Sequence, residues 1–449
     1  MRAALTGVVT TYRPRSVLRD VGKALGVDLS VIDKVTKVSH RWNGRADLQQ
    51  RLIDCGFDPH SGIVEKWSEL AEKLMGFPRH LSQHPGGFII SHSKLSRLVP
   101  IENAAMADRS VVQWDKDDID AVGLMKIDIL ALGMLSCLRR TLDLVTKRNG
   151  EPFELQDIPA EDPATYNMLC RADTIGVFQI ESRAQMSMLP RLQPRQFYDL
   201  VIEVAIIRPG PIQGGMIQPY LRRRQGLEPI NYPSAAMESV LSRTLGVPIF
   251  QEQVMQISMV AAGFTAGEAD QLRRAMAAWK RKGNLEQFES KLMAGMAERG
   301  YTSEFAAAIV GQLRGFAEYG FPESHAASFA LLAYASSWLK CHEPAAFLTA
   351  LLNSQPMGFY SPSALIQDAR RHGVVVLPVD VTTSDWDARL ESDASVRLGM
   401  NTIRGLERET AWRIEEARAV QQFFDTSDLA ARAPISMPAN CVHWQQPMP

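Results

Sequence analysis

A lysine and an aspartate two residues apart, Lys126 and Asp128, stand in the apolar run Gly123–Leu130 (GLMKIDIL). A short apolar run of this kind predicts a strand. Side chains alternate along a strand, so Leu124, Lys126, Asp128 and Leu130 share one face, and Met125, Ile127 and Ile129 the other. The two charges then lie roughly 7 Å apart. A carboxylate so placed can hold a divalent cation, and the ammonium beside it can meet a phosphate or orient the carboxylate. In-line phosphoryl transfer needs such groups. A solvated ion pair on an edge strand has the same pattern. The polar run before it, Gln113–Asp120 (QWDKDDID), offers the D-x-D pairs Asp115/Asp117 and Asp118/Asp120. Aspartate favours turns through local hydrogen bonds, and a solvated turn is predicted there.

A second candidate is a basic stripe. Thr265 and Glu268 form a T-x-x-E capping box ahead of a helix starting near Ala266. Arg273 and Arg274 are followed seven residues later by Lys280 and Arg281, with Lys282 next. Seven residues is close to two helical turns, so the pairs lie on nearly one stripe. Arginine binds phosphate in a bidentate way, which suits a polyphosphate or a nucleic-acid backbone. A solvated helix face has the same composition. Gly320–Ala330 (GFPESHAASFA) places Ser324 and His325 at the start of an apolar helix, and helix N-termini attract anions. A histidine there is also a common cap or core residue. Near the end, Leu398–Ala417 (LGMNTIRGLERETAWRIEEA) reads as helix, Gly405-Leu406 turn and helix. That outline fits a helix-hairpin-helix, whose turn presents backbone N–H groups to a DNA phosphate, and equally a plain helical hairpin. His84 and His92 flank a Pro-Gly-Gly turn at no recognised ligand spacing. There is no P-loop, GxSxG or HExxH motif.

The elements that must position these residues are mostly helical. Ser16 to about Leu74 reads as short helices with polar turns. Pro85-Gly86-Gly87 breaks the chain before a strand at Phe88–Ile90, and a helix is predicted over Leu132–Val145. Periodicity then predicts helices over Arg195–Ile206, Glu252–Ala261, Ala266–Arg281, Leu285–Arg299, Ser303–Ala317 and His325–Leu339. Arg208-Pro209-Gly210-Pro211 marks a turn, and Val374–Val379 a short strand.

The 449 residues allow two to four domains. A net charge of −1 gives no global sign of nucleic-acid binding, so that reading rests on local patches. The five scattered cysteines form no CxxC pair, which argues against a disulfide framework or zinc ribbon and fits a cytoplasmic protein. The start of the chain makes a poor signal peptide, and the apolar stretch Ala326–Leu339 is too short to span a bilayer.

Several segments together resemble the bacterial DNA polymerase III alpha subunit family, the C-family DNA polymerases. They are SQHPGGFIIS (82–91), VVQWDKDDIDAVGLMKIDILALGML (111–135), IGVFQIESRAQM (175–186), AIIRPGPIQGGM (205–216), FQEQVMQI (250–257), ADQLRRAM (269–276) and EYGFPESHAASFALLAYASSWLKCHEP (318–344). They occur in the family's order, and the resemblance covers about residues 2–433. The wording QWDKDD, KIDILALGML and GFPESHAASFA is similar to the error-prone, damage-tolerant branch.

The resemblance implies a mostly helical α+β fold: a partial nucleotidyltransferase-type palm with helical thumb and fingers and the start of a helix-hairpin-helix region. It places the palm and inserted thumb in 1–160, the fingers in 161–372, the start of the DNA-binding region in 373–433, and a disordered or unrelated tail in 434–449. It implies that Asp128 is a metal-binding palm carboxylate with Lys126 beside it as the active-site lysine. It implies that Arg273 and Arg274 contact the triphosphate of a dNTP, and that Ser324 and His325 belong to the same pocket. Lys280, Arg281, Lys282 and Gly405 fall to DNA contact. The implied cofactor is a pair of Mg²⁺ ions. The implied partners are a DNA primer-template and dNTP and, for full-length members, the sliding clamp and damage-response mutagenesis proteins. The family's histidinol-phosphatase-like domain, its Gly-Ser motif and its P-D-x-D-x-D-F motif do not occur in this sequence. The expectation is therefore an internal piece of a longer error-prone polymerase, inactive alone. The alternative is a non-catalytic DNA- or dNTP-binding fragment.

Overall fold

The computed structural model describes residues 2–38, 44–58, 61–104, 108–128, 132–208, 211, 215–282, 285–318, 322–357 and 360–434. The expected tail from 435 onward and the end of the GLMKIDIL run lie outside them. The fold is α+β and mostly helical. It divides into two compact units, Met1–Ala131 and Leu132–Pro449. No described helix is long and apolar enough to cross a membrane.

The first unit is a five-stranded sheet with a helical insertion. Strands β1 (Ala3–Thr11), β2 (Pro78–Ile90), β3 (Ile101–Asn103), β4 (Ser110–Val112) and β5 (Lys126–Asp128) lie in the order β3-β4-β1-β2-β5. Between β1 and β2 come four helices, Pro14–Ala24, Leu29–Val38, Gly44–Asp54 and Gly62–Leu74. They close on their own core. Val17, Leu18 and Val21 of the first, Ile32 and Val35 of the second, Leu48 and Leu52 of the third, and Val64, Trp67 and Ala71 of the fourth are all buried. The spacings of three and four residues are those of helix stripes turned to one centre. The indole N–H of Trp67 reaches the Leu18 carbonyl at 3.1 Å, so the largest core side chain also satisfies its polar atom.

Two expectations change here. The polar run 113–120 contains a helix, Lys116–Ala121, where a turn is expected. Asp115 and Asp118 exchange side-chain-to-backbone hydrogen bonds at its start (Asp118 N–H to Asp115 Oδ1, 3.1 Å; Asp115 N–H to Asp118 Oδ2, 3.3 Å). These aspartates cap a helix, which the same hydrogen-bonding habit that favours turns also allows. The strand expected at Phe88–Ile90 runs instead from Pro78 to Ile90. Proline and glycine interrupt its pairing without ending it. Leu5 pairs with Phe88 and Gly7 with Gln83, so the four residues 84–87 bulge opposite Thr6 alone.

In the second unit the helix Phe197–Ile206 is buried from Asp199 onward. Against it packs the 20-residue helix Glu323–His342, through Ala326, Ala330 and Ala333 among others. Alanines at these spacings let two backbones approach closely. Around them stand Gln251–Ala262, Ala266–Lys282, Leu285–Glu298 and Ser303–Glu318. Predicted helices match observed ones to within a few residues, because each carries its own apolar stripe and caps. A second sheet, β6 (Val375–Leu377), β7 (Arg389–Ser392) and β8 (Ser395–Arg397) in the order β6-β8-β7, precedes the helices Arg408–Val420 and Thr426–Arg432. The first helix expected in the Gly405 hairpin is only a 3-10 turn, Met400–Thr402.

Candidate nucleotide and nucleic-acid site

Strand β5 sits at the sheet edge, paired only with β2 among the described residues. Lys126 stands opposite Ile89, Ile127 opposite Phe88 and Asp128 opposite Gly87. Directly opposed residues share a face. The positions of Lys126 and Asp128 therefore belong to the face carrying Ile89 and Ala4, which also holds the small core with Leu95, Val112 and Ile119. Leu124 packs on that core as well, so the alternation expected from the sequence holds through Lys126. The bulge beside β5 is tied by His84, whose Nδ1 accepts from the backbone N–H of Gly86 (3.2 Å) and Gly87 (2.6 Å). That leaves the ring hydrogen on Nε2. Thr6 Oγ1, opposite the bulge, is buried without a hydrogen-bond partner among the described residues.

The basic helix Ala266–Lys282 is capped as expected. Thr265 N–H donates to Glu268 Oε2 (2.9 Å) and Glu268 N–H to Thr265 Oγ1 (3.3 Å). Lys291 also pairs with Glu268, and its hydrogen bond leads the influences that hold this carboxyl down at about 2. One turn on, Asp270 takes both arginines: Arg273 Nη2 at 2.9 Å and Arg274 Nη2 at 2.7 Å. Arg274 is 74% exposed. Lys280, Arg281 and Lys282 form the last residues of this helix.

Glu323, Ser324 and His325 begin the long alanine-faced helix. Its first amide is already engaged: Glu323 N–H donates to Glu252 Oε2 at 3.0 Å. The Glu323 carboxylate in turn accepts from Tyr198 Oη (2.8 Å) and Arg243 (3.1 Å), and Arg243 lies 4.2 Å over the Tyr198 ring. At this terminus Glu252 and Glu323 supply negative charge of the kind that a helix N-terminus attracts. Ser324 is exposed. The His325 ring lies 4.2 Å from that of Phe329, which lies 5.2 Å from Phe178. Burial, then the charge of Arg208, push the His325 imidazole below its ordinary value. Sequence reasoning quoted the segments holding Gln179 and Arg208 but assigned neither a role. Arg208 donates from Nη2 to Gln179 Oε1 at 3.0 Å.

At the hairpin, Gly405 has φ +84°, a left-handed conformation that glycine adopts without strain. The helix after it exposes Trp412, with the Arg408 guanidinium 4.8 Å over the ring.

Whether a divalent pair fits can be tested against this chain. The described strands place one carboxylate position, Asp128, beside Lys126, and two clamped cations need several oxygen ligands. The one three-ligand cluster among the described residues is Asp173, Asp368 and His372, in the second unit. There the Lys340 ammonium, 3% exposed, already sits between the carboxylates, at 3.0 Å from Asp173 and 2.7 Å from Asp368. His372 Nε2 meets Asp173 at 2.6 Å. This is a buried ion-pair network with its cation built in. The described residues do not fit a two-metal site.

Three family models match in order along the chain. The bacterial DNA polymerase III alpha NTPase domain matches residues 1–131, the finger domain of the same subunit 134–300, and a helix-hairpin-helix motif 373–440. The chain belongs to the bacterial DNA polymerase III alpha subunit family. Relatives named error-prone DNA polymerase are 65% identical in Bordetella bronchiseptica (strain RB50), 64% in Dechloromonas aromatica (strain RCB) and 60% in Pseudomonas aeruginosa (strain PAO1). Each match takes in 96% of this chain and 42% of the relative's length. In the alpha-subunit frame, the helix of Arg273 and Arg274 falls within the finger match, and Gly405 within the helix-hairpin-helix match.

Proposed function

We propose that this chain is part of an error-prone, template-directed DNA polymerase used in replication and damage-tolerant synthesis. In the parent reaction a primer 3′-hydroxyl attacks the α-phosphate of a dNTP, the O–P bond forms, and pyrophosphate leaves. The observation that carries this reading is the finger helix with Arg273 and Arg274 side by side, both paired with Asp270. An incoming triphosphate offers these guanidinium groups more oxygens than one carboxylate does. Lys126 brings a cation to the palm strand, and His325 and Ser324 border the nucleotide. Lys280, Arg281, Lys282 and the Gly405 turn take the DNA backbone.

We assign palm and thumb to 1–160, fingers to 161–372 and the start of the DNA-binding region to 373–433. The divalent-metal chemistry of the family belongs to the whole polymerase, and no step is routed through it here. Sliding-clamp and damage-response partners, and a cytoplasmic location, are part of the same proposal.

Primer extension with the purified chain, dNTPs and Mg²⁺ tests it. Little or no extension is expected, because one carboxylate cannot fix two cations. Robust extension abolished by Asp128→Asn would overturn that expectation. The second reading is a fragment that binds DNA or dNTP without chemistry. It is favoured by a salt-dependent affinity for primer-template that Arg273→Ala/Arg274→Ala removes.

A further inference from the structure

The helix Arg408–Val420 buries Thr410, Ala411 and Ile414, and the last two pack with Met400 and Ala433. Trp412 lies outside that core and is 47% exposed. A single exposed apolar side chain is ordinary. Three observations set this one apart. The Arg408 guanidinium lies 4.8 Å over the indole. Side chains lean towards the start of their helix, so the ring is carried over the Arg408 turn, towards the Gly405 hairpin. Among the described residues the indole N–H has no hydrogen bond, and Arg408 is the one charged or aromatic group stacked on the ring. Finally, neither Arg408 nor the exposed Arg404 of the hairpin forms an ion pair among the described residues, and their neighbours Glu407 and Glu409 form none with them.

These observations favour one kind of DNA. A duplex shows base edges in its grooves and keeps base faces inside its own stack. A ring with a guanidinium over it suits the face of an unpaired base, which can extend the stack on either group. Such stacking accepts any base, because every base has a π-face. The DNA backbone is assigned above to the Gly405 turn. From Arg408 to Trp412 the helix rises roughly 6 Å, a span of the size of one nucleotide from phosphate to base.

We infer that Arg408 and Trp412 form a stacking surface for an unpaired base of single-stranded DNA, beside the hairpin that takes the DNA backbone. The inference rests on the DNA-binding reading of that hairpin. It adds a preference for a single strand and the two residues that carry it.

The test uses the full chain, with a short oligothymidylate, an abasic strand of the same length and a blunt duplex as probes and fluorescence anisotropy as the readout. The oligothymidylate is expected to bind about 10-fold more tightly than the abasic strand, which keeps the phosphates and lacks the base faces. Trp412→Leu should erase that difference and leave the abasic strand and the duplex within about two-fold of the parent. Trp412→Phe, which keeps an aromatic face, should retain part of it. If Trp412→Leu fails to fold, Trp412→Phe and the parent's two single strands still decide. An oligothymidylate advantage that survives Trp412→Leu places the stacked bases elsewhere and overturns the inference. An equal loss on all three DNAs shows a structural role for Trp412 and overturns it too. If the duplex binds and the oligothymidylate binds no better than the abasic strand, the inference fails and the DNA reading stands. If the oligothymidylate binds in a Trp412-dependent way and the duplex does not bind, the stacking surface stands and the assignment of a primer-template duplex to the hairpin fails. If the parent chain binds none of the three, both fail.

Discussion

Asp270 Oδ2 accepts from Arg274 Nη2 at 2.7 Å, and the other oxygen of the same carboxylate accepts from Arg273. A surface acid thus pairs with both adjacent arginines of this helix. Hydrogen bonding from Arg273, more than the Coulomb attraction of either arginine, holds the Asp270 carboxyl below its ordinary value. Exposed pairs of this kind are weak and exchange readily with solvent anions.

Removing that acid is expected to help an anion bind. Asp270→Asn keeps the shape and deletes the competing charge, so the affinity for tripolyphosphate should rise about three-fold at low salt and converge with the parent at high salt. Titration at two ionic strengths checks this. Weaker binding in the variant would mean that Asp270 holds the arginines in their binding geometry rather than competing for them.

The Lys340 network makes a stability prediction. Lys340 also donates to the Ile175 carbonyl at 3.0 Å, so it ties its own helix to a loop and, through Asp368, to the helix Pro362–Arg371. Lys340→Met removes the ammonium between buried Asp368 and half-buried Asp173 and leaves them His372 and Arg371 nearby, a loss of about 2–3 kcal/mol. Urea unfolding of the two proteins measures it. A change under about 1 kcal/mol would mean that the carboxylates find other partners or take up protons cheaply.

Glu203 predicts a pH dependence. It is fully buried in the Phe197–Ile206 helix, and neither carboxyl oxygen has a hydrogen-bond partner among the described residues. Burial raises its pKa well above the ordinary value. The folded state therefore keeps the proton while the unfolded state loses it, and stability falls as pH rises above the unfolded value near 4.5. One such group contributes a slope of about 1.4 kcal/mol per pH unit. Glu181, raised to about 7 by burial, adds a second slope of the same sign that ends near that pH. Urea midpoints at pH 5, 6, 7 and 8 should therefore fall less steeply in Glu203→Gln than in the parent. Parallel curves would show that Glu203 is ionised in the folded chain.

Gly295 marks a contact with no room for a methyl group. A Cβ there would lie 2.1 Å from the Ala262 carbonyl oxygen, a backbone atom that cannot step aside. Gly295→Ala should cost about 1–3 kcal/mol by forcing the Gln251–Ala262 and Leu285–Glu298 helices apart. Thermal unfolding reads it out. A midpoint equal to the parent's would show that the helices can shift freely.

What was legible in the sequence was local. The Thr265–Glu268 box, the Arg273-Arg274 pair and the apolar stripes of the finger helices each depend on residues a turn or two apart, and all appear in the structure. The aspartates of 113–120 misled because a turn and a helix start use the same side-chain-to-backbone hydrogen bonds. The strand at 78–90 was hidden because proline and glycine ordinarily end a strand, whereas here they form a bulge within one. Gln179 with Arg208, and Lys340 with Asp173, could not be read at all. Each pair is brought together by the packing of helices far apart in the chain, and no spacing rule reaches that distance.

The edge position of β5 also bears on how the chain behaves in concentrated solution. An edge strand offers a row of backbone donors and acceptors to any other chain, and charges along it discourage that docking. Without Lys126 and Asp128, the run GLMKIDIL would be eight residues of nearly unbroken apolar sequence, the composition that seeds strand-on-strand aggregation. The two residues singled out for chemistry thus also interrupt that apolar composition. Replacing both with polar, uncharged residues of similar size keeps that protection better than replacing them with alanine.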